Sequence, residues 1–93
     1  ADGNVVGGSE TARQAEFIYG VIERILKAAG ATLDDVVKTT AFLTDIRDYP
    51  AVNVVRNKVF AGREPASTMV EVTKLVHALA KIESEAVAIH HRT

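Results

Sequence analysis

The chain has 93 residues, enough for one domain and no more, and a core of that size leaves a thin stability margin, so association with further copies is expected. Eleven Lys plus Arg against 12 Asp plus Glu leave a formal charge of -1, and a hydrophobic content of 47 % is ordinary, so nothing in the composition draws the chain to nucleic acid or to a membrane surface. There is no cysteine, which excludes a disulfide framework, a thiolate metal site and a cysteine nucleophile.

The first nine residues, Ala1 to Ser9 (ADGNVVGGS), place turn residues on both sides of a two-valine fragment and read as the end of a hairpin whose first strand is absent. From Glu10 to Ala29 the apolar residues Ala15, Ile18, Ile22, Ile25, Leu26 and Ala29 recur on one helical face. Ser9 is a candidate N-cap for this helix and Gly30 its stop.

A polar turn at Thr32-Leu33-Asp34-Asp35 leads into Val36 to Ile46 (VVKTTAFLTDI), rich in the β-branched and aromatic residues of a strand. Alternation puts Val37, Ala41 and Leu43 on one face and Phe42 on the other. Asp48-Tyr49-Pro50 then signals a helix start, and Val52, Val55 and Val59 repeat at helical spacing for about three turns until Gly62. Ser67 to Leu75 and Ala80 to His90 both alternate as strands and are joined through Val76-His77-Ala78.

The expected order is therefore helix, strand, helix, strand, strand, in a single domain spanning residues 1–93. No apolar stretch reaches the roughly 18 to 20 residues needed to cross a bilayer, and the N-terminus lacks a signal pattern, so the reading is a soluble, cytoplasmic chain. With both helices on one side, the other face of the sheet is left bare, and its apolar residues make assembly with other subunits the natural cover.

Glu83 and Glu85 stand at i and i+2 on the last strand, so their carboxylates leave the same face, an arrangement suited to proton transfer but equally common on a solvated strand. Asn53 is placed at the opening of the second helix, where its amide serves a ligand or, more commonly, the local backbone. His77, His90 and His91 have no acidic residue at ligand spacing, so no metal is expected. Ser67 lacks a Gly-x-Ser-x-Gly elbow, the glycines fit no phosphate-binding pattern, and the basic residues are scattered without an aromatic stripe. A serine hydrolase, a nucleotide cofactor and a nucleic-acid partner are not expected.

Several blocks, taken in order, resemble the signatures of the YjgF/Rid family of reactive intermediate deaminases, also described as endoribonuclease L-PSP-like. They are Ala28-Ala29-Gly30-Ala31, the run Val36 to Asp45, Asn53, Pro65-Ala66-Ser67-Thr68-Met69-Val70-Glu71-Val72, and the closing Lys81 to Ala88. The resemblance covers nearly the whole chain. It implies an α+β, chorismate-mutase-like fold, two helices on one face of a mixed sheet, assembled as a homotrimer with small-molecule pockets at the subunit interfaces and no cofactor. It also implies that an N-terminal strand hairpin of the family is largely absent from this chain.

Deaminating members hydrolyse enamines and imines to a carbonyl compound and ammonia. In that frame Glu83 matches the glutamate that orients the attacking water, while Asn53, Met69 and Ser67 fall at substrate-binding positions. Ser67 stands where deaminating members carry an arginine that clamps the substrate carboxylate in a bidentate fork. A hydroxyl supplies no positive charge, so standard 2-imino acids are expected to be poor substrates. The resemblance thus supports an imine or enamine hydrolase of altered substrate choice, with a non-catalytic binding trimer as the alternative and an endoribonuclease or translation inhibitor ranked last.

Overall fold

A computed structural model describes residues 9–90, so the hairpin reading of the first eight residues lies outside the described part. The first helix, α1, covers Ser9–Ala28, with Ser9 as its first helical residue. It ends as foreseen at Gly30, whose φ of 84° is the left-handed conformation that costs glycine least. The Ala31 amide donates to the Leu26 carbonyl and the Gly30 amide to Lys27, the paired bonds of a Schellman ending.

Thr32 opens a 3-10 turn at Leu33–Asp35 through a capping box, its hydroxyl accepting from the Asp34 amide while the Asp35 carboxylate accepts from its own. Asp35 also meets the ring of His90, and its carbonyl accepts from the Ile89 amide, tying the end of the chain to the start of the first strand.

Strand β1 (Val36–Leu43) is the centre of a three-stranded mixed sheet. It pairs in parallel with β2 (Ala66–Glu71) and antiparallel with β3 (Ile82–Ala88). The expected face of β1 is corrected at its first residues. A bulge between Val36 and Lys38 shifts the register against β3, so Val36 is buried and Val37 is 45 % exposed. Beyond the bulge the alternation holds, with Thr39, Ala41 and Leu43 buried.

Both later strands are shorter than their alternation suggested. β2 stops at Glu71, whose carboxylate accepts from the Ile46 amide, and β3 runs only from Ile82 to Ala88. Residues 72–81 form a connection that Gln14 of α1 holds at both its atoms, Nε2 donating to the Leu79 carbonyl and Oε1 accepting from the Lys81 amide.

The second helix, α2, covers Tyr49–Val59 and carries Pro50 in its first turn, where a missing N–H costs nothing. Asp48 accepts a 2.7 Å hydrogen bond from the Thr11 hydroxyl and so links the two helices. Both helices pack on the same face of the sheet around Ala15, Tyr19, Val36, Ala41, Leu43, Val52, Val55, Phe60 and Ile82, with the Tyr19 and Phe60 rings edge to face at 5.8 Å. Fully buried Leu43 and Val52 each contribute roughly 1.5 to 3 kcal/mol by leaving water. Ile25, on the apolar face that the period of α1 marked out, is 63 % exposed.

Candidate functional site

Register partners in a sheet share a face, and this fixes where each expected site residue lies. Ser67 pairs with Thr39 and Met69 with Ala41, both of which are buried under the helices. Ser67 and Met69 therefore belong to the helix-covered face, Ser67 exposed at the sheet edge and Met69 half-buried against the core. Glu83 pairs with Phe42 and Glu85 with Thr40, which places both carboxylates on the opposite, open face.

The strands β2 and β3 flank β1, so Glu83 also stands roughly 10 Å across the sheet from the β2 backbone. Asn53 is half-buried in the middle of α2 rather than at its opening, the correction coming from a helix that begins at Tyr49, ahead of Pro50. A single copy brings Ser67 and Met69 together on one strand and keeps Glu83 behind the sheet.

The open face around Glu83 is mixed in character. Lys38, Thr40 and Phe42 from β1, Thr68 and Val70 from β2, and Glu85 and Val87 from β3 share it, with Val70 38 % and Val87 52 % exposed. Met69 lies on the covered side. Glu83 has no hydrogen-bond or ion-pair partner among the described residues and is exposed.

Two grooves open elsewhere. One of about 410 Å³ runs between the first turns of α1 and the 77–82 segment, with Phe17, Ile18, Leu79 and Ile82 as its apolar lining. A second of about 330 Å³ lies among Thr44, Thr73, Lys74 and Ala78, and His77, whose Nδ1 accepts from the Leu79 amide, borders both. Neither is lined by Ser67, Met69, Asn53 or Glu83. Among the described residues no group of three or more His, Asp or Glu side chains is placed to hold a metal ion, and no helix is long and apolar enough to cross a membrane.

A polar cluster inside the core escaped the sequence reading. Arg56 is 8 % exposed, its Nη2 donating to the Pro65 carbonyl at 2.8 Å and its Nη1 to Asn57 Oδ1 at 3.2 Å. Among the described residues its Nε has no partner, nor has the buried hydroxyl of Tyr19 any in hydrogen-bonding geometry. Burial raises the pKa of this phenol, offset in part by the nearby Ser84 hydroxyl and the Arg56 charge. Ser84 itself donates to the Thr40 carbonyl. The signal was present in the sequence: Val52, Val55, Arg56 and Val59 form one i, i+3, i+4, i+7 stripe, so the arginine interrupts a face otherwise apolar.

The fold recurs among solved structures. Rv2704 from Mycobacterium tuberculosis, described as a member of the YjgF/YER057c/UK114 family, superposes with a TM-score of 0.84 at 39 % identity over 88 % of this chain and 70 % of its own. The YjgF gene product of E. coli superposes with a TM-score of 0.81 at 35 % identity over 89 % and 67 %. Among curated relatives, a RutC family protein of Pyrococcus abyssi is 38 % identical over 92 % of this chain, and the human 2-iminobutanoate/2-iminopropanoate deaminase is 41 % identical over 96 %. The chain spans 66 % and 64 % of the lengths of these two relatives, less than two thirds of either. The family model described as Endoribonuclease L-PSP matches residues 1–90, and with the two-helix, mixed-sheet fold the chain belongs to this YjgF/Rid family.

Proposed function

We propose that this chain is part of a hydrolase of reactive imines or enamines whose preferred substrate is uncharged where the 2-imino acids carry a carboxylate. The observation that carries the reading is Glu83, an exposed carboxylate with no partner among the described residues, standing on the open face of a sheet. A free carboxylate in that position accepts a hydrogen bond from a water, orients it, and takes its proton as oxygen attacks the C=N carbon. Proton return to nitrogen and collapse of the carbinolamine give a carbonyl compound and ammonia, so one water is consumed and no redox partner is needed.

Ser67 and Asn53 offer a hydroxyl and an amide to a neutral group, and Met69 an adaptable apolar wall. Since Ser67 and Glu83 lie on opposite faces of one sheet, they meet at a pocket only when the open face of one subunit is set against the edge of another. A homotrimer with ligands at its subunit interfaces, housed in the cytoplasm, is the assembly this reading requires. The curated deaminase relatives support the imine-hydrolase reading at the level of the family.

Ser67 also favours a second reading, a binding trimer without turnover, because the hydroxyl supplies none of the charge that holds an imino acid. The test generates 2-iminobutanoate and an uncharged imine in situ and follows ammonia release with the protein at its natural length. Faster release than the protein-free control, greater for the uncharged imine, is expected. No acceleration of either rate removes the hydrolase reading for both and leaves the binding trimer.

A further inference from the structure

We infer that Arg56 is a positioning residue for the proposed pocket, holding Asn53 on α2 and Ser67 on β2 in one fixed frame; this rests on the imine-hydrolase reading above. Arg56 is more than nine-tenths buried, yet no carboxylate pairs with it among the described residues. A buried cation without a counter-ion is a poor device for stability, since apolar residues of the same volume usually serve as well or better. What this guanidinium does instead is reach from α2 to the buried Pro65, whose carbonyl accepts its Nη2 hydrogen bond.

Pro65 is the last residue before β2, and Ser67 is two residues further on. β2 is an edge strand, laddered to β1 on one side alone among the described residues, so its first residues have few other restraints. Proline donates no hydrogen bond, which leaves the carbonyl as the one backbone handle at this point. On the helix side, Asn53 lies three residues before Arg56, one turn along the same face of α2. The bond from Arg56 to Pro65 thus ties the helix that carries Asn53 to the start of the strand that carries Ser67. Displacement of a binding group by about 1 Å costs on the order of a hundredfold in rate.

The test compares Arg56→Met, which keeps the volume and loses the donor, with Arg56→Lys, which keeps a donor able to reach the Pro65 carbonyl, each alone and combined with Ser67→Ala. Two readouts are taken on the assembled protein: hydrogen exchange at residues 66–71, and kcat and KM for whichever imine the wild type hydrolyses faster. The expected result is faster exchange at residues 66–71 in Arg56→Met, recovery in Arg56→Lys, and a KM raised roughly 10- to 100-fold in Arg56→Met. In the Ser67→Ala background the same substitution adds less than about threefold, because it acts through a hydroxyl already gone.

Equal losses in both backgrounds, or unchanged exchange at residues 66–71, overturn the inference. If Arg56→Met does not fold, Arg56→Gln takes its place as the neutral variant. If the wild type hydrolyses neither imine, the functional reading fails, and hydrogen exchange alone decides whether Arg56 fixes the start of β2.

Discussion

Placing a cation at residue 67 is the perturbation that bears most directly on the proposed substrate choice. Ser67 is exposed on an edge strand, so the larger side chain of Ser67→Arg displaces no core atom. A hydrogen bond to a charged group is worth about 1.5 to 3 kcal/mol, which at 1.4 kcal/mol per decade is roughly 10- to 150-fold in kcat/KM for an imino acid. Two features of the structure set the lower part of that range. The site is open to water at Ser67, which screens the new pair, and the buried Arg56 charge at the neighbouring Pro65 carbonyl repels a second guanidinium. The expected gain is about tenfold for 2-iminobutanoate, with no gain for an uncharged imine, measured as the ratio of the two kcat/KM values in the variant and the wild type. An unchanged ratio in a folded, assembled Ser67→Arg protein refutes the reasoning, since it means residue 67 does not face the acidic end of any substrate.

Other outcomes follow from the core and from the surface. Tyr19→Phe removes a buried hydroxyl with no partner in hydrogen-bonding geometry, and urea unfolding is expected to show no loss, or a gain of up to about 1 kcal/mol; a loss above about 1 kcal/mol shows that a water or Ser84 satisfies the hydroxyl. Asp45 is held down to a pKa of about 2 by its side-chain hydrogen bonds from Arg47 and by the Arg47 amide that it caps. A folded pKa below the ordinary 3.8 means the carboxylate stabilises the fold above that pH and loses its effect as pH falls toward 2. The melting-temperature gap between wild type and Asp45→Ala is therefore expected to narrow from pH 6 to pH 2 and, the pair being exposed, to shrink in high salt; a gap independent of pH counts against the charge as its cause.

The elements were legible because each has a local cause. The apolar period of α1, Gly30 at its end, Pro50 at the start of α2 and the β-branched run of β1 all act within a few residues. What was not legible depends on partners distant in the chain. The bulge at Val37 exists only against Ala88 and Val87, so alternation alone assigned Val37 to the wrong side. β2 ends at Glu71, whose carboxylate accepts from the Ile46 amide, a contact that no strand propensity carries. The proposed site residues fared likewise. Ser67, Met69 and Glu83 were recognisable by motif, whereas their division between two faces of the sheet follows from the register of β1 with each neighbour. Arg56 could have been noticed as a charge in an apolar stripe, but its acceptor, the Pro65 carbonyl, needs the fold.

That division of the site makes assembly the last consequence to test. On the open face, Phe42 lies directly across from Glu83, with Val70 on its other side and Val87 further along the neighbouring strand. If this face is covered by another subunit, Phe42→Asp puts a second carboxylate opposite Glu83, and like charges facing each other across a strand pair destabilise even before burial. Bringing the new charge into an interface costs several kcal/mol, so the dissociation constant of the assembly is expected to rise at least a hundredfold, read by sedimentation across a dilution series. Because the β1 position of Phe42 is only half-buried in one copy, the isolated subunit should keep its helical circular dichroism. A folded, dissociated variant without turnover is the outcome expected if Glu83 and Ser67 act from different subunits. Turnover by the dissociated variant would mean that one copy brings them together after all, against the register that places them on opposite faces, while unchanged sedimentation would move the interface to another surface.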